Sequence, residues 1–154
     1  SFGEFAKRNN AVASTDVKSF EHLVCTEQLS RRLGFKVGEE LIRVVRVRSL
    51  NGNARQVDHG YFLESIAKGL TPEIAARSIY DYLEHKRGVK VMASRRTVSV
   101  ELANDEDCSY LDLGKYNCVA VMESQSYTSD GILFEVTHAR THPEIFHYRV
   151  NSKR

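Results

Sequence analysis

One predicted β-hairpin, from Val44 to Asp58, constrains the fold of this chain more than any other stretch. It reads VVRVRSLNGNARQVD, with alternating residues on the two sides of an Asn51-Gly52 pair. Asn-Gly is typical of tight turns between antiparallel strands. Side chains two residues apart on a strand share a face, so Arg46 and Arg48 are expected to point the same way. The stretch therefore predicts an antiparallel sheet that carries two neighbouring guanidinium groups.

The register of this hairpin decides whether an acidic residue joins the arginines. A two-residue turn would place Asp58 opposite Val45, on the other face of the sheet. A three-residue loop that includes Asn53 would shift the pairing by one and place Asp58 opposite Arg46. The sequence permits both registers. The second would form a patch suited to a ligand with a phosphate and hydroxyl groups. Otherwise the arginines are solvated side chains of an edge strand.

Composition limits the class of protein. The 154 residues are enough for one domain with a proper core, and 42% hydrophobic with 27% charged residues is an ordinary globular composition. The net charge is +2 and the basic runs are only pairs, so the chain is a poor candidate to hold nucleic acid by itself. Three widely spaced cysteines and the lack of a membrane-length apolar stretch predict a cytoplasmic location.

The other predicted elements complete an α+β domain. The predicted helix N-caps are Thr26, Thr71, Ser78 and Asn104. A second hairpin is predicted at Ser129-Asp130-Gly131, and residues 145–150 alternate as a last strand. Two helix-plus-hairpin halves would form a mostly antiparallel, six-stranded sheet with flanking helices.

Several polar residues outside the first hairpin are candidates for ligand binding. Ser78 and Tyr80 lie at a predicted helix start, where free amides and two hydroxyls favour an anion, although capping and packing also explain them. Glu135 interrupts an apolar strand and could accept hydrogen bonds from sugar hydroxyls, or it could be a surface residue. Thr141 is an even number of residues from Glu135 and is therefore expected on the same face of the strand. Arg140 would share that face only if a bulge intervenes.

No pattern in the sequence indicates a metal, a cofactor or a nucleophilic active site. The six histidines do not form HxH or HExxH, and there is no GxSxG or glycine-rich phosphate loop. Asp58 and Glu135 are the only pair of carboxylates that could do acid–base work on a sugar. We therefore expect a protein that is not an enzyme. The alternatives are a small enzyme acting on an anionic, sugar-phosphate-like substrate, and a dimerisation module with an empty cleft.

Five motifs in order resemble a known family. They are LGFKVGEELIRVVRVR, NGNARQVDHGYF, SIYDYLEHKRGVKV, LDLGKYNCVAV and GILFEVTHAR. This order is similar to the UTRA effector-binding domain, the C-terminal part of HutC-type regulators of the GntR family. The resemblance covers residues 1–154 and implies a chorismate-lyase-like fold without lyase activity. It also implies a homodimer, and a repressor whose winged helix-turn-helix, outside this chain, binds operator DNA until an effector releases it.

The resemblance also implies a ligand site. Members that sense a phosphorylated sugar hold the phosphate at positions matching Arg46, Arg48, Ser78 and Tyr80, and at the backbone of Phe2 and Gly3. The sugar-side carboxylates correspond to Asp58 and Glu135, to which we add Thr141 and Arg140 as sugar-binding candidates. Sugar-sensing members often carry Tyr where Thr141 stands, which is a departure. Runs such as Gly60-Tyr61-Phe62 are similar to trehalose-responsive members and imply trehalose 6-phosphate as effector, with glucosamine 6-phosphate as the alternative.

Overall fold

A computed structural model describes residues 2–154, and a six-stranded antiparallel sheet is its main element. The strands are β1 Ala13–Val24, β2 Glu40–Leu50, β3 Asn53–Leu63, β4 Val91–Leu102, β5 Cys118–Thr128 and β6 Leu133–Thr141. Their order across the sheet is β1-β2-β3-β6-β5-β4, and every neighbouring pair is antiparallel. The predicted fold class is therefore confirmed.

Short helices connect and cover the strands. They are α1 Phe2–Arg8, α2 Glu27–Leu33, α3 Pro72–Ala75, α4 Ile79–Asp81 and α5 Asp105–Tyr110, with a π-helical turn at Tyr82–Lys86 and a 3-10 turn at Pro143–Ile145. Each of the four predicted N-cap side chains accepts a hydrogen bond from the backbone N–H three residues later. Within residues 2–154, no helix is long and apolar enough to cross a bilayer.

The two faces of the sheet bury different apolar clusters, and we name each face after the helix that packs on it. On the α4 face, Val44 and Phe62 pack with Ile79 of α4. On the α5 face, Val45 and the leucines that follow α5 form a second cluster. Successive residues of β2 alternate between the faces, so Arg46 and Arg48 belong to the α4 face.

The first hairpin combines the two registers that the sequence permitted. Leu50 pairs with Asn53, so the turn has two residues, and Asn51 and Gly52 both adopt the positive φ of a type I′ turn, 49° and 79°. A β-bulge at Arg55 then shifts the pairing by one residue. Asp58 consequently lies opposite Arg46, as a three-residue loop would also have placed it.

The predicted last strand is wrong. Residues 145–150 form no strand, and the chain after β6 makes the 3-10 turn at Pro143–Ile145 instead. Both edges of β6 are already hydrogen-bonded, to β3 and to β5. Alternation alone does not make a strand when the neighbouring edges are occupied. The sixth strand of the sheet is β1.

Candidate anion and sugar site

A buried ion pair lies at the centre of the α4 face. Arg46 Nη2 donates to Asp58 Oδ2 at 2.5 Å, and the two residues are only 8% and 5% exposed. Arg46 Nη1 also donates to the carbonyl oxygen of Ala75 at 3.4 Å, which ties the pair to α3. The cross-strand register of β2 and β3 makes this pair possible because the two residues are directly opposite.

Arg48, two residues along β2, lacks such a partner. Its Nε is buried and makes no hydrogen bond among residues 2–154. The Phe2 ring packs on its guanidinium, with the centroid 4.8 Å from Cζ. The pKa of Arg48 is lowered to about 10, by burial first and by the charge of nearby Arg46 second, with Asp58 acting in the opposite direction. Arg48 is therefore still charged at neutral pH, and it is a partly buried cation whose buried Nε lacks an acceptor.

A buried carboxyl group lies further along the same face. Glu135 is 2% exposed, and its Oε1 accepts hydrogen bonds from Tyr80 Oη at 2.6 Å and from Ser126 Oγ at 3.2 Å. Burial raises the pKa of Glu135 to about 7, and the Asp58 charge adds to the rise. The hydrogen bonds from Tyr80 and Ser126 and the Arg46 charge act in the opposite direction. Burial and the neighbouring Glu135 also raise the pKa of Tyr80.

The ion pair and Glu135 are separated by a residue without a side chain. Gly60 is paired with Val44 on one side and with Thr137 on the other, on the strand that carries Asp58. A Cβ atom at Gly60 would lie 2.7 Å from the Phe62 ring. This position therefore needs glycine because the ring packs directly over the backbone.

The structure brings half of the predicted site residues together. Arg46, Arg48, Asp58, Tyr80 and Glu135 form one cluster, joined by the contacts and charge interactions described above. Arg46, Asp58 and Glu135 are buried, Arg48 is partly buried, and Tyr80 is 41% exposed. Ser126 belongs to it and was missed, as was Gly60. A glycine inside a strand pattern is a signal of close packing, whereas the sequence gives no comparable signal for Ser126.

Four predicted site residues lie elsewhere or at the margin. Phe2 contacts Arg48 through its ring, with Gly3 next to it in α1. Ser78 is exposed and its Oγ caps α4. Thr141 is buried on the α4 face, but it is paired with Gln56, which in turn is opposite Arg48. Thr141 therefore lies near the arginine end of the cluster and not beside Glu135.

The structure corrects the placement of Arg140. No bulge lies between Glu135 and Arg140 in the pairing of β6 with β3, so Arg140 projects from the α5 face. There its Nε and Nη2 donate to Asp107 at 2.9 Å, and its Nη1 donates to Glu101 at 2.5 Å. The guanidinium is held by two carboxylates on the side of the sheet away from the cluster.

The α5 face also has a polar trough with a volume of about 420 Å³. Its lining includes His59, Tyr61, Glu123, His138 and Arg140. The ionisable groups in it are largely paired: His59 with Glu106 at 2.5 Å and His138 with Glu123 at 3.2 Å. Among the residues described, no set of three or more His, Cys, Asp or Glu side chains is arranged to hold a metal ion.

The comparisons with known proteins identify the family. A family model described as the UTRA domain matches residues 8–147. This chain belongs to the UTRA domain family. The predicted resemblance is thereby confirmed.

Relatives of this UTRA domain are transcription regulators by name. The HTH-type transcriptional regulator TreR of Bacillus subtilis is 28% identical over 148 residues, which are 96% of this chain and 62% of TreR. The HTH-type transcriptional repressor NagR of the same organism is 22% identical over 141 residues, 92% of this chain and 57% of NagR. The chain thus spans about three fifths of the length of these relatives.

Solved structures agree with the fold. The effector-binding domain of the B. subtilis trehalose repressor TreR superposes with a TM-score of 0.83 at 27% identity, covering 92% of this chain and 98% of that one. PhnF from Mycobacterium smegmatis superposes with a TM-score of 0.87 at 17% identity, covering 99% of this chain and 68% of that one. The UTRA fold therefore extends over nearly the whole chain.

Proposed function

We propose that this UTRA domain is the ligand-sensing part of a transcriptional repressor and that its effector is a phosphorylated sugar, with trehalose 6-phosphate as the best candidate. The observation that carries the proposal is Arg48, a partly buried cation whose buried Nε has no acceptor among residues 2–154. A buried charge without a partner is costly, so a native site that keeps one is suited to a ligand of opposite charge. The similarity to TreR supports the choice of sugar phosphate.

The cluster offers different groups to the two ends of such a ligand. Arg46 and Arg48 would bind the phosphate, aided by the Ser78 hydroxyl and by the backbone of Phe2 and Gly3, whereas the Tyr80 hydroxyl donates to Glu135 instead. Guanidinium groups suit this role because each can bond phosphate oxygens in bidentate fashion. At the other end, Asp58 and Glu135 would accept sugar hydroxyls, with Thr141 as a further hydroxyl on the same face. Arg140 is not part of the proposed site because it lies on the α5 face.

Binding at this cluster requires movement, which supports a role in signalling. Glu135 and the Arg46–Asp58 pair are almost completely buried, and Tyr80 of α4 and the Ala75 carbonyl of α3 are bonded to them. A ligand that reaches the arginines must displace the Ala75 contact and move α3 away from the ion pair, while Tyr80 stays bonded to Glu135. If it prefers the displaced arrangement, it shifts the population of the whole regulator and releases operator DNA from the DNA-binding domain.

The exposed edge of the sheet supports the proposal that the partner of this chain is a second copy of itself, in a homodimer. All twelve residues of β4 are exposed, including Val98, Val100 and Leu102. Long apolar edge strands are rarely left uncovered, and a second copy could pair with β4 across a two-fold axis. Sedimentation equilibrium should give a dimer that Val100→Lys weakens, whereas Val12→Lys, at an exposed valine before β1, should not. Equal dissociation constants for the two variants would argue against this surface.

The test of the effector is a thermal unfolding series with trehalose 6-phosphate, glucosamine 6-phosphate, trehalose and inorganic phosphate. A true effector at 100 times its dissociation constant adds about 2.7 kcal/mol to the free energy of unfolding. We expect the largest shift with trehalose 6-phosphate and its loss in Arg48→Met. No shift with either sugar phosphate would refute the proposal. If NMR shows that the protein converts a sugar phosphate into another compound, the result would support the alternative that this chain is a small enzyme.

A further inference from the structure

Ser126 occupies a specific place in the cluster although no sequence pattern pointed to it. It lies on β5 directly opposite Glu135 on β6, and it is only 1% exposed. Its Oγ is 3.2 Å from Glu135 Oε1 and 3.2 Å from Tyr80 Oη, which in turn is 2.6 Å from the same Oε1. The three oxygen atoms therefore form a closed triangle under α4.

This triangle leaves the two oxygens of Glu135 in different states. Both hydroxyl donors bond to Oε1, whereas Oε2 has no hydrogen-bond partner among residues 2–154. A carboxylate can accept about four hydrogen bonds. One oxygen is thus held by the protein and the other remains an acceptor for a donor such as a sugar hydroxyl.

The charge of Glu135 is balanced by groups from every element around it. Desolvation and the Asp58 carboxylate on β3 favour the protonated form, whereas Tyr80 on α4, Ser126 on β5 and Arg46 on β2 favour the ionised form. Arg96, from β4, acts on Tyr80. The pKa of about 7 that results means that loss of a single hydrogen bond changes the ionised fraction near neutral pH.

We propose that Ser126 is a positioning residue of the ligand site, which together with Tyr80 keeps Glu135 ionised and leaves its Oε2 free to accept a sugar hydroxyl. The inference rests on the proposed function and deepens it. Removing the Ser126 hydroxyl removes a bond that favours the carboxylate, so Glu135 becomes protonated at a higher pH than before. The protein should then bind a sugar phosphate more weakly at pH 7 and recover at higher pH.

The experiment measures the affinity for trehalose 6-phosphate between pH 6.5 and 8.5 in the parent protein, Ser126→Ala and Ser124→Ala. Ser124 is the matched control because it is on the same strand and face, opposite Thr137, and is not bonded to Glu135. One hydrogen bond changes the acid constant of Glu135 about fivefold, and the group is about half ionised at pH 7 in the parent. We therefore expect Ser126→Ala to bind about threefold more weakly at pH 7 and to approach the parent at pH 8.5. Ser124→Ala should follow the parent. The ligand phosphate also titrates, near pH 6, but equally in all three proteins.

A second measurement separates this inference from the proposed function. The carboxyl carbon of Glu135 can be titrated by NMR in the ligand-free protein, where Ser126→Ala and Tyr80→Phe should both raise its midpoint. A midpoint unchanged in both variants would overturn the inference even if sugar phosphates bind. If the midpoint rises but the parent protein binds neither sugar phosphate, the positioning of Glu135 stands and the proposed function fails. The inference would also be overturned if the affinity of Ser126→Ala for trehalose 6-phosphate changed with pH in parallel with that of the parent.

Discussion

Arg48 and Arg140 are strand arginines on opposite faces of one sheet, and their surroundings differ sharply. Arg140, on the α5 face, bonds Asp107 through two of its nitrogens and Glu101 through the third. Asp107 in turn closes a capping box with Asn104 at the start of α5. Arg48, on the α4 face, has a buried Nε with no acceptor in the described part of the chain. One guanidinium is saturated by the protein and the other is not.

Under the proposed function, the difference separates a structural charge from a charge kept for a ligand. Breaking a buried pair leaves an uncompensated partner, so a saturated arginine such as Arg140 is expected to serve stability. An unsatisfied arginine lowers stability and is retained only where something else requires it. Both residues were candidates from sequence, and only their surroundings separate them.

The largest expected effect tests the saturated arginine. Arg140→Met should lower the free energy of unfolding by about 3–5 kcal/mol because Asp107 would be left buried and charged. Arg48→Met should leave that free energy unchanged or raise it. Urea denaturation of the two variants checks the contrast, and equal losses in both would remove the distinction between the faces.

Ligand affinity should respond in the opposite way. Arg48→Met should weaken the binding of trehalose 6-phosphate by roughly 10- to 150-fold, since one charge-assisted contact is worth about 1.5–3 kcal/mol. Isothermal titration calorimetry provides the measurement. Arg31→Met, which changes an exposed arginine paired with Glu27 on α2, is the control and should bind like the parent. Unchanged affinity in Arg48→Met would exclude Arg48 from the site.

The pH dependence of stability should differ between carboxyls on the two faces. The pKa of Glu135 is raised in the folded state to about 7 from 4.5. Its stabilising contribution is therefore present below pH 4.5 and is lost as the pH rises through 7. As the pH rises from 5.5 to 8, the free energy of unfolding of Glu135→Gln should increase by about 2 kcal/mol relative to that of the parent protein. Glu123→Gln, on the α5 face, is the comparison, and parallel stability curves for Glu135→Gln and the parent would contradict the prediction.

The smallest expected effect compares the N-caps of α4 and α5. Ser78→Ala and Asn104→Ala should each cost about 1 kcal/mol of unfolding free energy, because each removes a side-chain acceptor for a backbone N–H. Only Ser78→Ala should also weaken the binding of trehalose 6-phosphate, by less than about tenfold, since a single neutral hydrogen bond is lost. Equal affinities of the two variants would restrict Ser78 to capping.

Much of the fold followed from local patterns, and the failures have identifiable causes. The caps and hairpins were predictable because Thr, Ser, Asn and Gly act on backbone groups within three residues of themselves. The strand predicted at residues 145–150 was wrong because a strand that follows β6 after a short turn would have to pair with β6, whose two edges are already occupied. Ser126 was missed because its role depends on Glu135 and Tyr80, which are distant in sequence.

The sequence by itself determined the antiparallel hairpins, the family, and the shared face of Arg46 and Arg48, since these depend on periodicity and on motifs in order. Only the tertiary structure decided which charges meet. A bulge at Arg55 sets Asp58 opposite Arg46, and an unbroken alternation takes Arg140 to the other face. A shift of one residue moves a side chain through the sheet, so the composition of the site depends on register that local pattern leaves open.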